Sequence, residues 1–138
     1  MNWEWTWPVT IDFCKRTWTS ALNLMQNFPD LGFVQSQPGA YVPIQHLYPD
    51  EFAGIQRAVK SGQWQPVGGL WDESDTNIPS GEGLARSMLL GQTYFHQQFG
   101  RYADVAWLPD SFGHSGQLPQ LFQLAGMPSF YHMIEDSP

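Results

Sequence analysis

The spacing of hydrophobic residues along the chain predicts helices that alternate with short strands. Residues 10–27 have apolar side chains at helical spacing, and Pro29 lies just beyond the last of them. The apolar positions of this helix are Phe13, Trp18, Ala21, Leu22 and Met25. The segment Gly32–Ser36 that follows is typical of a short strand.

Residues 40–61 are predicted to be helical in part, with breaks near Pro43 and Pro49. The second part ends at Ser61, because Gly62 is a typical residue for stopping a helix. Its apolar residues share one face, and they are Phe52, Ile55, Ala58 and Val59.

The clearest helix is predicted from Ser80, a suitable N-cap, to about Phe99, with Gly100 ending it. Its predicted apolar face consists of Leu84, Met88, Leu89, Tyr94 and Phe95. The remaining predicted elements are strands at Trp64–Gly69, Asp104–Leu108 and Ser129–Met133, a polar loop at 70–79 and a short helix at Gly116–Leu124.

This order of helices and strands predicts an α/β fold. Strands that are separated by helices run parallel and are joined by right-handed crossovers, in an open sheet or in part of a barrel. In both arrangements ligands bind where strands end and the next loop begins. Functional residues are therefore expected just after Ser36, Gly69, Leu108 and Met133.

The charge balance excludes one class of partner. Six Lys and Arg stand against thirteen Asp and Glu, which gives a formal net charge of −7 and argues against nucleic acid. Apolar runs are far shorter than the roughly 20 residues that cross a bilayer, so no membrane partner is expected. No secretory signal is visible at the start, and a cytoplasmic location is predicted. The single cysteine, Cys14, falls in a predicted helix and is expected to be a packed thiol.

The segment Trp107–Ser115 follows a predicted strand and should project toward the ligand-binding edge. Pro109 ends the strand pairing, and Asp110 is the first polar side chain beyond it. A carboxylate there attacks an anomeric carbon, binds a metal or caps the turn, and capping is the commonest role. His114 is a ligand or a hydrogen-bonded loop residue, and a single His with no close partner is more often the latter. The other histidines lack metal-ligand spacing and are expected to be structural, namely His46, His96 and His132.

A second segment, Val67–Asn77, combines two adjacent glycines with the acids Asp72, Glu73 and Asp75. Crowded acids usually face water, which favours a solvated loop. A phosphate-binding loop is disfavoured, because the acids would repel phosphate and no lysine follows them.

These two segments carry a resemblance to the family 38 α-mannosidases. Trp107–Ser115 resembles the nucleophile segment of that family, and Val67–Glu82 resembles its stretch G-G-x-W-x-E-x-D-T-N-x-P-S-G-E. Further similar segments lie at Trp5–Pro8, Pro29–Gln37 and Leu118–Gly126. The resemblance extends in order from about Trp5 to Tyr131.

The resemblance implies that residues 1–138 are part of the N-terminal catalytic domain, a seven-stranded (β/α) barrel. It implies a retaining, zinc-dependent hydrolase of α-mannoside oligosaccharides or glycans. Asp110 matches the nucleophile, which in the family is also a zinc ligand. Trp5 and Phe112 match aromatic residues that line the sugar site.

The chain also departs from the family pattern. The family has two zinc ligands, His-x-Asp, before the Trp5 segment, and the Asp position falls on Asn2. The general acid and the last zinc-binding His follow later in the family, beyond Pro138, and a basic residue is replaced by Ile134. One zinc ligand and one carboxylate remain, so the isolated chain is expected to be inactive. The alternative is a degenerate relative that binds carbohydrate or protein without catalysis. Accessible aromatic side chains are expected at Trp5, Trp71, Trp107 and Phe112.

Overall fold

The structure, a computed structural model, describes residues 5–133, in which helices alternate with short strands. The elements are α1 (Trp7–Asn27), β1 (Phe33–Gln35), α2 (Pro38–Leu47), α3 (Pro49–Ser61), β2 (Trp64–Pro66), α4 (Gly81–Phe99), β3 (Val105–Leu108), α5 (Leu118–Leu124) and β4 (Ser129–His132). None of these helices is both long enough and apolar enough to cross a membrane. The described chain divides into two compact units, residues 5–34 with 39–65 and residues 35–38 with 66–133.

The strands form two pairs, β1 with β2 and β3 with β4. The second pair is parallel, with Val105 opposite Ser129 and Leu108 opposite His132, as the alternation of helices and strands predicts. Just beyond β2, the backbone N–H of Gly68 donates to the carbonyl of Val105 at 2.8 Å. The α/β prediction is thus confirmed, while the described strands do not form a closed barrel.

The core of the first unit is built around aromatic side chains. Trp18 packs against Tyr41 at 4.7 Å and meets Trp64 edge-on at 5.7 Å between ring centroids. The indole N–H of Trp64 donates to the Tyr41 hydroxyl at 2.9 Å, so both polar atoms are satisfied inside the core. Cys14 is half-buried on α1, and burial raises the pKa of its thiol, which agrees with the predicted packed thiol.

The predicted break near Pro43 is wrong, because Pro43 lies inside α2. Proline removes one backbone hydrogen bond and crowds the carbonyl four residues earlier, which normally ends a helix. Here Tyr41 and Ile44 are fully buried on the same helix, and their packing outweighs the local cost. The prediction for α3 is confirmed, with its four apolar residues buried and Gly62 closing it in the left-handed conformation.

The second unit packs α4 and α5 against one face of β3. Its core consists of Leu70, Leu84, Met88, Ala106, Leu108, Leu118, Phe122 and Met127. The predicted N-cap is confirmed, since the Ser80 hydroxyl accepts a hydrogen bond from the Gly83 backbone at 3.2 Å.

One assignment on α4 is wrong, because Leu89 is 67% exposed. Gly91 and Gln92 are buried on the helix instead. The Gln92 side chain exchanges two hydrogen bonds of 2.8 Å with the backbone of Ala103 and donates a third to the carbonyl of Ala125. The buried Gln92 amide thus satisfies backbone groups of Ala103 and Ala125. The spacing of hydrophobic residues does not predict such a buried polar side chain.

Replacement of Gly91 by alanine tests how closely α4 approaches the loop after β2. A Cβ atom at Gly91 would lie 2.2 Å from the carbonyl oxygen of Gly69, so backbone must move. We expect Gly91→Ala to lower the free energy of unfolding by about 1–3 kcal/mol in urea titrations. Gly81→Ala at the start of the same helix meets no atom within 4 Å and is the matched control. Equal stability of the two variants would contradict this packing.

Candidate functional site

The loops that follow the first three strands meet in the second unit. Gln37 lies two residues after β1, Glu73 lies in the loop after β2, and Asp110 lies two residues after β3. The prediction that Asp110 follows the carboxyl end of a parallel strand is confirmed, and its side chain is exposed. Loops that follow three different strands therefore contribute residues to one hydrogen-bonded cluster in the second unit.

The carboxylate of Glu73 connects these loops. Its Oε1 accepts a hydrogen bond of 3.0 Å from the backbone N–H of Asp110. Its Oε2 accepts a second hydrogen bond, of 3.2 Å, from the side-chain amide of Gln37. Charge-assisted hydrogen bonds of this kind are stronger than neutral ones, so Glu73 fixes the backbone on which the Asp110 side chain is mounted.

The expectation that the crowded acids of this loop face water is wrong, because Asp72, Glu73 and Asp75 are all half-buried. Burial raises the pKa of the Glu73 carboxyl, and the nearby Asp110 carboxylate acts in the same direction. The two hydrogen bonds act in the opposite direction because they favour the ionised form. Glu73 is therefore a half-buried carboxylate whose two oxygens both accept hydrogen bonds.

Further hydrogen bonds join the loop after β2 to the loop after β3. The Ser111 hydroxyl donates to the carbonyl of Ser74 at 3.1 Å, and the hydroxyl of buried Thr76 donates to the carbonyl of Gly113 at 3.0 Å. The carboxylate of Asp75 instead caps its own turn. It accepts hydrogen bonds from the backbone N–H groups of Asn77, at 2.8 Å, and Ile78, at 3.1 Å. The loop that carries Asp110 is thus held at several points.

The two glycines after β2 are needed for close packing. Gly68 has a φ of +95°, and a Cβ there would lie 3.0 Å from the Ser36 side chain. Gly69 has a φ of +66°, and a Cβ there would lie 2.4 Å from the sulfur of Met127. The positive φ at both positions disfavours ordinary side chains, and a Cβ atom would also crowd Ser36 or Met127, which explains the pair without a phosphate.

Aromatic side chains lie on β3, on β4 and in the loop after β3. Trp107 and Tyr131, register partners on β3 and β4, stack with centroids 4.3 Å apart and planes 14° apart. Phe112 is 61% exposed beside Asp110 in sequence. Trp5 belongs to the first unit, where it stacks on Phe13 at 4.4 Å. The expectation that these aromatic side chains are more accessible than the core is confirmed. Phe112 is exposed, and three tryptophans are half-buried, namely Trp5, Trp71 and Trp107.

His114 does not have the hydrogen bonds expected of a loop histidine. Both ring nitrogens are buried, and neither has a partner among the residues that the structure describes. The ring lies edge-on to Phe130 at 5.2 Å and to His132 at 4.9 Å. Burial lowers the pKa of His114, and the neighbouring His132 lowers it further.

Residues 5–133 contain no group of three or more His, Cys, Asp or Glu side chains placed to hold a metal ion. A catalytic zinc normally has three protein ligands, so these residues do not by themselves form the zinc site that the resemblance implies. Asn2 and Ile134, at which the chain departs from the family pattern, lie outside the described residues.

The sequence indicates two residues of this cluster only by their position, since functional residues are expected just after Ser36 and Gly69. Gln37 has a left-handed φ of +63°, which is uncommon for a residue with a side chain. Glu73 was one of three similar acids. The available signal was position, because both residues follow predicted strands, but position alone does not identify which side chain turns toward Asp110.

Comparison with known proteins places this chain beside glycosidases. Residues 1–133 match the family described as Glycosyl hydrolases family 38 N-terminal domain. The chain is 41% identical over 128 residues to Alpha-mannosidase 2C1 of Homo sapiens, covering 93% of this chain. It is 41% identical over 129 residues to Alpha-mannosidase of Saccharomyces cerevisiae, covering 91% of this chain.

A solved structure shows the same similarity at the level of the fold. The α-mannosidase from Enterococcus faecalis V583 superimposes with a TM-score of 0.72 and 28% identity, over 81% of this chain and 13% of that chain. The chain spans 12% of the length of the human and yeast relatives.

The environment of His114 leads to a prediction about pH. A histidine with a lowered folded-state pKa stabilises the fold above its unfolded pKa, near 6.5, and that stability is lost as the pH falls through the folded value. We expect His114→Phe to reduce the loss of stability between about pH 7 and pH 5, because a phenyl ring takes no proton. Urea unfolding at several pH values measures this, with His46→Phe, at an exposed position on α2, as the control. If the free energy of unfolding of His114→Phe fell with pH as steeply as that of the parent chain, this prediction would be refuted.

Proposed function

The chain belongs to glycosyl hydrolase family 38, and we propose from this premise that it supplies the nucleophile segment of a retaining α-mannosidase. The substrate class would be mannose-containing glycans. The observation that supports the proposal is the placement of Asp110, an exposed carboxylate at the carboxyl end of a parallel strand whose backbone is fixed by neighbouring loops.

In a retaining mechanism, the Asp110 carboxylate would attack the anomeric carbon of the mannoside and form a glycosyl–enzyme ester. A second carboxyl group would protonate the departing oxygen and then activate the water that hydrolyses the ester. Glu73 is poorly suited to that second role, because its oxygens already accept hydrogen bonds from the Asp110 backbone and from Gln37. We assign the general acid to none of residues 5–133.

Zinc is the proposed cofactor, and Asp110 is the proposed ligand from this chain. Zinc would hold sugar hydroxyls and stabilise charge on the ring when bound. Because the described residues lack a set of three donors, the other ligands would have to come from elsewhere, and zinc enters none of the steps above.

The aromatic residues and the sheet have proposed roles as well. Phe112 and Trp5 would line the sugar site, since aromatic faces pack against the C–H groups of pyranose rings. The four strands would be consecutive members of a seven-stranded (β/α) barrel. The hydrogen bond from Gly68 to Val105 supports this, because it joins the end of β2 to the start of β3.

Trapping of the covalent intermediate tests the nucleophile directly. We expect a fluorinated mannosyl fluoride to label the protein made from its complete gene, and peptide mass spectrometry to locate the sugar on Asp110. Asp110→Asn should abolish labelling and lower kcat toward an aryl α-mannoside by roughly a thousandfold or more. Asp104→Asn, at another exposed carboxylate near β3, is the matched control. A label on a different carboxylate would disprove the assignment.

The 138-residue chain by itself is expected to be inactive and to bind zinc weakly. With one identified carboxylate and no three-donor metal group, residues 5–133 lack the parts that a retaining, zinc-dependent site needs. Calorimetry with zinc chloride and an aryl α-mannoside assay measure both properties. Turnover that a chelator removes would show that the missing groups lie within these 138 residues. Mannose binding without turnover by the complete gene product would favour the non-catalytic binding module.

A further inference from the structure

We propose that Glu73 is a positioning residue, whose carboxylate sets the orientation of Asp110 by fixing its backbone against the loops that follow β1 and β2. The role of Asp110 itself rests on the proposed function. The interaction between the two residues does not, because it is seen in the hydrogen bonds of the chain.

The geometry favours this role over an ordinary surface contact. Glu73 Oε1 bonds the backbone N–H of Asp110 and not its side chain, so the Asp110 carboxylate remains exposed and available. Two loops that follow different strands are thereby fixed to each other at the one residue that carries the nucleophile. Reactive side chains need such support, because small displacements of a nucleophile cost much of its rate.

Gln37 provides the other half of the connection. Its backbone is in the left-handed region, at a φ of +63°, although it is not glycine. A residue is kept in that conformation when its surroundings hold it there, and such strain concentrates at functional sites. In this conformation the Gln37 side chain donates a hydrogen bond of 3.2 Å to Glu73 Oε2.

The other bonds between the two loops have a different function. Ser111 and Thr76 donate to backbone carbonyls, and these bonds hold the loops together without contacting Asp110. Asp75 stabilises the turn within its own loop. Loss of Asp75 is therefore a control that disturbs the loop and leaves the bond between Glu73 and Asp110 in place.

The test uses the full 138-residue chain and nuclear magnetic resonance of its backbone amides, with variants Glu73→Ala, Glu73→Gln and Asp75→Ala. In Glu73→Ala we expect the Asp110 amide to exchange with solvent about tenfold faster and its proton signal to move upfield. Glu73→Gln keeps a carbonyl acceptor at the same position, so exchange should return to within about threefold of the parent while the signal still moves upfield. Asp75→Ala should leave both properties of the Asp110 amide unchanged.

These outcomes separate a positioning role from general stability. The proposal is overturned if Glu73→Ala leaves the Asp110 amide as it is in the parent chain, or if Asp75→Ala perturbs that amide equally. If Glu73→Ala does not fold, the test rests on Glu73→Gln. Loss of the protection of the Asp110 amide against solvent exchange, in a folded Glu73→Gln chain, would also overturn the proposal. No turnover is involved, so a failure here is distinct from a failure to label Asp110 with a mannosyl fluoride.

Discussion

The hydrogen bond between the Glu73 carboxylate and the Asp110 backbone N–H is the constraint on which the loops around Asp110 depend. A carboxylate leaves water only where other groups compensate for its lost hydration. Here Gln37 and the Asp110 amide provide that compensation, and the loops in turn gain a fixed arrangement. The side chain of Asp110 is left facing outward, as a reacting group requires.

This arrangement also depends on how closely backbone segments approach each other behind the site. Gly91 brings α4 against the backbone of Gly69 and Leu70, in the loop after β2, at a distance that no Cβ would permit. Gly68 lies against Ser36 and so brings the loops after β1 and β2 together. Glu73 lies four residues after Gly69 in the same loop, so this close packing limits the positions that its carboxylate is able to adopt.

Much of the fold was predictable, because the signals are local. Helix α3 follows from apolar residues on one face and a glycine at its end, and the N-cap of α4 follows from Ser80. The errors have one physical origin. Pro43 stays within α2, and Gln92 replaces Leu89 in the core, because burial and distant hydrogen bonds outweighed local preference.

The sequence by itself determined that Asp110 follows a strand, that strands alternate with helices, and that the chain is related to family 38. It did not determine which acid meets Asp110, since Glu73 lies 37 positions earlier in the chain. It also did not reveal that His114 lies beside His132 and that its ring nitrogens have no hydrogen-bond partner among residues 5–133. Contacts of that kind depend on which strands are neighbours and how their loops fold back. Only the tertiary structure decides them, because no periodicity or capping preference extends over such distances.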